Sequence, residues 1–306
     1  MTQDAFTAPG RFYRGNLHTH STLTDAVLDP EEVCRRYKAE GYDFIALTDH
    51  FVGLWGYPLA DTRPFRDDEF TTLLGAELHS GAMENGRMWH ILAVGLPLDF
   101  APSDSPNFTP KDGQETGPQI AARARAAGAF VAVAHPEWSG MTMADALSIE
   151  AAHAVEVYNH SAGVTAGRPA GFHTADLLLS EGRKLSLIAT DDAHFEGPDY
   201  FGGWVMVKAE TNTPNALLEA LKAGHFYATQ GPEIHGIEMA DKSITVRCSA
   251  AQSVIVMGKG NAALATFGAS MTHATLPLAE FADSPWIRVT VTDRAGLHAW
   301  SNPIWL

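Results

Sequence analysis

The sequence predicts an α/β protein: a barrel-like core of about seven strand–helix units, followed by a small all-β segment. Three observations predict it. Short strands that are apolar almost throughout (FIAL, FVAVA, SLIA) alternate with helical segments, the pattern of a sheet buried on both faces. The connections are short and capped, which implies parallel strands joined by right-handed crossovers. Beyond Gln230 the texture changes to short strands and turns.

Taken in order, the first strand covers 15–20. Asp29-Pro30-Glu31-Glu32 then supplies an N-cap, a proline at the first helical position and two acids at the positive end of the dipole. That helix ends at Gly41. Strands follow at 44–48, 72–77 and 90–94. An alanine- and arginine-rich helix over 119–127 stops at Gly128 and leads to a strand at 130–134. A strand at 154–157, a helix over 172–181 before Gly182, and strands at 185–189 and 203–207 continue the alternation. Thr213-Pro214 starts a helix that runs to Gly224. SITVRCS, SVIVMGKG, PWIRVTVTD and HAWSNPIW carry no helical period, so 231–306 reads as a β-sandwich-like appendage to a domain spanning 1–230.

With 306 residues, 45% of them hydrophobic and 19% charged, the chain is a folded globular protein and not a disordered one. The formal net charge of −15 argues against a broad basic face for nucleic acid, and no basic tract or helix-turn-helix pattern is visible. Two cysteines, Cys34 and Cys248, do not make a disulfide framework. No signal peptide or long apolar run is visible, so the expected location is cytoplasmic, with no membrane span. The sequence sets no oligomeric state.

Position carries the chemistry. Asp49 and His50 end FIALTDH; Glu77 and His79 end TTLLGAELHS; His135 ends FVAVAH; Asp191, Asp192 and His194 follow SLIAT. In a parallel barrel the C-terminal strand ends converge on one face, where active sites are built. Within HTH, strand alternation puts His18 and His20 on the same side. His90 is out of phase, because it opens its strand; that strand must run differently, or His90 must reach in from a loop. Imidazoles grouped with carboxylates suit a divalent transition metal and disfavour an all-Mg centre. One such histidine is ordinary core; six histidines and three acids at strand ends are not.

HTHSTLTD followed by LTDH, AELHS, AHP and DDAH resembles the PHP family of metal-dependent phosphoesterases, over residues 14 to 230. GHFYATQGPEI and the terminal AWSNPIW look like the CehA/McbA branch of PHP-like metallohydrolases, which includes a carbamate hydrolase. The resemblance implies a distorted seven-stranded (β/α)7 TIM-like barrel holding two or three divalent ions, Mn, Zn or Fe. Carried over residue by residue, His18, His20, Glu77 and Asp192 hold the first ion. Asp25, His50 and His194 hold the second. His90 and His135 hold the third, bridged by Glu77. The family's Ser-Asp-Ala-His is here Asp191-Asp192-Ala193-His194; the DxH spacing makes Asp192 the ligand and Asp191 its support.

The expected activity is hydrolysis of a small phosphate monoester or short nucleotide by a hydroxide bridging two ions, with Asp192 and His194 in the catalytic centre. No G-x-S-x-G and no strand-end cysteine offers a protein nucleophile. His160 is a candidate proton donor to the leaving group. Arg168, Trp138 and His79 are candidate substrate contacts, and Trp55 and Tyr57 could stack on an aromatic leaving group. His153, His173, His225, His235, His273 and His298 match no motif. The competing reading is a carboxylic ester or carbamate hydrolase using the same centre; a third is a metal-holding binding protein. Duplex nucleic acid is not an expected partner.

Overall fold

The computed structural model describes residues 5–306. Along the chain come β1 (Arg11–Asn16), α1 (Pro30–Ala39), β2 (Phe44–Leu47), the two-residue β3 (His50–Phe51), β4 (Thr71–Leu78) and β5 (Ile91–Val94). α2 (Gly117–Ala126) leads into β6 (Phe130–Val133). Two short helices, α3 (Pro136–Ser139) and α4 (Met143–Ser148), precede β7 (Ala154–Asn159). Then follow α5 (His160–Ala166), α6 (Phe172–Ser180), β8 (Ser186–Thr190), β9 (Trp204–Ala209), α7 (Pro214–Ala223) and β10 (Phe226–Thr229). The remainder is β11 (Ile234–Ala240), β12 (Ser243–Gly258), β13 (Ala263–Pro277), β14 (Trp286–Thr292), β15 (His298–Ser301) and β16 (Ile304–Trp305).

The helix signals act as their chemistry dictates. Asp29 caps α1 by accepting the Glu32 N–H, worth about 1 kcal/mol. Thr116 and Gln119 close a capping box on α2. α7 stops at Gly224, whose φ of 74° suits a residue without Cβ.

The sheet differs from the expected closed, all-parallel barrel. Its ladder runs β11-β12-β14-β15-β10-β9-β1-β2-β4-β5-β6-β7-β8 and does not close. It is mixed: β1–β2, β2–β4, β6–β7 and β7–β8 are parallel, while β5 is antiparallel to both β4 and β6, and β9 is antiparallel to β1 and β10. The far edge nonetheless returns to β1 beyond the strand ends, through a parallel bridge between Thr19 and Ala193. Nor do the C-terminal strands form a separate sheet. β15 pairs with β10, so the ladder runs continuously into β11–β16. β12 and β13 are also far longer than the short strands expected there, because bulges near Arg247 and Ala251 bend one long ladder and break its alternation.

Both faces of the sheet are covered. Val131 and Val133 of β6 pack with Ile120 and Ala124 of α2 and Leu178 of α6; the alternate residues Phe130 and Ala132 pack with Leu217 and Leu221 of α7. A third core joins Val246, Val254, Val289 and Val291 of the C-terminal strands to Tyr227. Buried Arg288 of β14 makes a bidentate pair with Asp176 of α6, at 2.9 and 2.8 Å, and so ties the C-terminal strands to the helical layer. Among the described residues, no helix is long and apolar enough to cross a membrane.

Candidate metal centre

The strand ends deliver the polar residues to one place. His18 and His20 extend β1 and are fully buried. Backbone bonds from His20 N–H to the Ala193 carbonyl (2.9 Å) and from Asp192 N–H to the His18 carbonyl (2.8 Å) lock the β1 and β8 extensions together. In the parallel pair β3–β4, His50 stands in register with Glu77. The antiparallel course of β5 resolves the phase of His90: the start of β5 lies beside the end of β4, at the same end as the other ligands. Two cluster residues pay for their positions in the backbone. His135 has φ 23° and Asp192 φ 56°, a region that costs side-chain-bearing residues about 1–3 kcal/mol. Asp49 serves as a brace: it accepts from the Ser21 N–H and Oγ, both at 2.7 Å, and from Thr24 Oγ1 at 2.8 Å, fixing the turn that carries Asp25.

Four groups of side chains bring potential ligand atoms within 4.8 Å of one another: His20, Asp25, His50 and His194; His18, His20 and Asp192; His18, Glu77 and His135; and His50, Glu77 and His79. Asp192 Oδ1 lies 3.0 Å from Nε2 of both His18 and His20. Asp25 sits between His50 Nε2 (3.2 Å) and His194 Nε2 (3.5 Å). Glu77 is central: Oε1 is 2.8 Å from His90 Nδ1 and 3.1 Å from His135 Nε2, and Oε2 is 2.6 Å from His50 Nδ1. His90 meets the others through Glu77 and belongs to none of the four groups.

These residues fit a cation. The outward nitrogen of most rings is already committed, leaving the inward one for a ligand. His18 Nδ1 faces Glu156 Oε1 at 3.0 Å, His135 Nδ1 faces Ser139 Oγ at 2.9 Å, and His194 Nδ1 donates to the Asp192 carbonyl at 2.9 Å. Inside, His18 Nε2 and Glu77 Oε2 are buried with charged or ring neighbours close by, Asp192 Oδ1 at 3.0 Å and His50 Nδ1 at 2.6 Å, yet neither makes a hydrogen bond, an expensive state unless something binds there. Burial, with Asp192 and Glu156 outweighing it, holds His18 well above the usual imidazole range. Burial together with His50 and His194 pushes His20 down to about 3. Burial opposes ionisation of Glu77, yet His90, His50 and His79 keep it well below the carboxylate range. The adjacent rings His18 and His20 are therefore pushed in opposite directions.

The centre forms part of the wall of a cavity of about 850 Å³. Arg168 and Trp138, the candidate substrate contacts, line it. Trp138 stands edge-on to His135 and His90, with centroids 4.8 and 5.5 Å away. Trp55 stacks on His50 at 5.7 Å, whereas Tyr57 donates to the Ser105 carbonyl and packs on Phe51. His160 does not line the cavity: its Nδ1 is paired with the Tyr158 hydroxyl and its Nε2 with the Pro198 carbonyl. His79 is fully buried behind His50 and touches no open space. The sequence reading missed Phe108 and Arg87, which line the cavity from loops. It also missed Glu156. That buried carboxylate accepts from the Thr190 hydroxyl, from His135 N–H at 2.6 Å and from Asn159 Nδ2 at 2.9 Å, besides orienting His18. An acid inside the apolar run AVEVYN was the signal.

No protein-family model matches the chain, and no curated protein does. Among solved structures, the chain is similar to a two-domain protein containing a predicted PHP-like metal-dependent phosphoesterase from Bacteroides vulgatus ATCC 8482. The two share 16% identity over 96% of this chain and 95% of that one, with a TM-score of 0.54. A candidate metal-dependent phosphoesterase from Bifidobacterium adolescentis ATCC 15703 (14% identity, 60% of this chain and 88% of that one, TM-score 0.45) is more distant. So is an amidohydrolase from Chromobacterium violaceum (17% identity, 60% and 89%, TM-score 0.45). At these identities the likeness is one of fold, and it extends along nearly the whole length of the two-domain protein.

Proposed function

We propose that the protein is a PHP-type metal-dependent hydrolase that cleaves small phosphate esters. The observation that carries this reading is the convergence of imidazoles and carboxylates with unpartnered inward atoms on a cavity that also presents two arginines. His18, His20, Glu77 and Asp192 would hold a first ion, and Asp25, His50 and His194 a second. His90 and His135 would hold a third with Glu77. When bound, divalent cations supply Lewis acidity toward a phosphoryl or carbonyl oxygen and lower the pKa of coordinated water. The chain's own part is to bind and orient. Arg168 and Arg87 attract and fix an anionic group; Phe108 and Trp138 wall in the rest of the substrate and exclude water from it. The catalytic portion is residues 1–230, with 231–306 as a supporting β region.

A second reading, a carboxylic ester or carbamate hydrolase on the same centre, draws on the apolar aromatic part of the cavity and on the CehA/McbA-like C-terminal motifs. One assay separates the two. Protein loaded with Mn or Zn is offered p-nitrophenyl phosphate, bis-p-nitrophenyl phosphate, p-nitrophenyl acetate and 1-naphthyl methylcarbamate, beside a His18→Ala control. Phosphate ester turnover that disappears in the control is the expected result. Turnover of acetate or carbamate alone overturns the phosphoesterase reading in favour of the second.

A further inference from the structure

His79 belongs to none of the ligand sets proposed above, yet it is fully buried against one of them. Its Nδ1 lies 3.0 Å from the Trp89 carbonyl oxygen, its Nε2 2.8 Å from His50 Nδ1. A carbonyl oxygen only accepts, so Nδ1 of His79 must carry a hydrogen. In the neutral ring, Nε2 is then the acceptor, and the hydrogen between the two rings belongs to His50 Nδ1. Glu77 Oε2 is the competing acceptor, 2.6 Å from His50 Nδ1 and 3.4 Å from His79 Nε2, but it makes no hydrogen bond to either ring. With that hydrogen on Nδ1, the neutral His50 ring that a cation requires carries its lone pair on Nε2, the atom grouped with Asp25, His20 and His194.

We infer that His79 is a positioning residue: a backbone carbonyl, read through the His79 ring, sets the tautomer and orientation of His50 and so prepares the site formed with Asp25 and His194 for a cation. An imidazole here does the work that Glu156 does for His18. The inference rests on the metal-centre reading; the tautomer itself does not.

Two measurements test it. In metal-free wild type, long-range proton–nitrogen correlation spectra of ¹⁵N-histidine-labelled protein report which ring nitrogens carry hydrogen. The expected result is hydrogen on Nδ1 of both His79 and His50, with Nε2 of His79 bare. Hydrogen on Nε2 of His79 overturns the inference. Cobalt binding is then followed by absorption spectroscopy and metal content in wild type, His79→Leu and His79→Gln. Gln places an acceptor oxygen where Nε2 stood; Leu places none. The Leu variant should bind its weakest-held cobalt some 10–100-fold less tightly, and Gln should restore most of the affinity. Loss of a whole cobalt equivalent in both variants makes His79 a ligand and overturns the inference, as does wild-type binding in both. A wild type that binds no cobalt sinks the metal-centre reading, and the positioning role with it, while the spectra still decide the tautomer.

Discussion

Asp191 and Asp192 are neighbours in the chain with opposite surroundings. Asp191 sits in a closed nest: it accepts from the Tyr37 hydroxyl at 2.7 Å and from the N–H groups of Phe201, Gly202 and Gly203 at 2.9, 2.8 and 3.0 Å. The glycines are required there. A Cβ on Gly203 would stand 2.9 Å from the Thr190 carbonyl, and one on Gly202 would run into the His160 ring. Asp192, one residue on, faces imidazoles instead: its Oδ1 lies 3.0 Å from Nε2 of both His18 and His20, and its Oδ2 accepts from Asn159 Nδ2 at 3.0 Å. The chain satisfies a buried carboxylate completely where it holds the β8 end in place. It gives the next carboxylate two imidazoles and a single amide donor, with no backbone N–H, where the candidate ligands gather.

The sharpest break of this contrast is Asp192→Asn, which keeps shape and removes charge. Hydrolysis should fall on the order of 10³-fold, about 4 kcal/mol of transition-state stabilisation, with metal content reduced and the melting temperature little changed. Metal analysis beside the rate measurement checks it. Normal metal content with normal turnover would remove Asp192 from the centre.

Asp191→Asn should do the reverse. The amide group turns a donor toward backbone N–H groups that need an acceptor, in a fully buried site. A loss of about 3 kcal/mol in urea unfolding is expected, with metal stoichiometry retained in the folded fraction. A variant of unchanged stability that has lost metal would make Asp191 part of the centre.

What the sequence could say divides along similar lines. The ligands at strand ends were legible because a polar residue at the end of an apolar run has few reasons to be there: HTH, LTDH, AELH and DDAH each announce themselves. The geometry of His90 was not legible, since residue alternation carries no information on strand direction, and only the antiparallel pairing of β5 brings it in. Likewise Phe108 and Arg87 come from loops whose path depends on tertiary packing. The capped helices α1, α2 and α7 followed from local chemistry. The open, mixed ladder did not, because strand pairing is a non-local choice.

His153 gives a milder contrast, a histidine of the closed kind. Its Nδ1 accepts the Val131 N–H at 3.0 Å and its ring stacks on Phe130 at 5.4 Å. Burial, with Arg125 and Lys222, pushes it from 6.5 down to about 4. Between those values the unfolded chain holds a proton that the folded chain refuses, so stability is full above about pH 6.5 and falls with acid toward about pH 4. His153→Asn keeps an acceptor and removes the titration. From about pH 7.5 to about pH 5, wild type should lose roughly 1 kcal/mol more than the variant, after allowing for the partial exposure of the ring. Parallel urea curves at the two pH values would show that His153 does not set this slope.

The smallest effect probes the rim of the open cluster. Ser139 Oγ lies 2.9 Å from His135 Nδ1, and His135 Nε2 lies 3.1 Å from Glu77 Oε1. The same three groups can be read as a serine nucleophile with its base and orienting acid, or as a hydroxyl that accepts from a metal-ligating ring. The two readings diverge sharply for Ser139→Ala. A nucleophile lost costs on the order of 10⁶-fold in rate, whereas an accessory hydrogen bond costs about tenfold in metal affinity and less in rate when metal saturates. Within the open cluster the small effect is expected, because His135 carries a strained φ of 23° that aims Nε2 at Glu77. A hydroxyl contact on Nδ1 then needs only to keep the ring from turning. Titrating Mn into Ser139→Ala while following hydrolysis separates the outcomes: recovery of rate at high Mn marks a positioning hydroxyl, and a dead enzyme at every concentration marks a nucleophile.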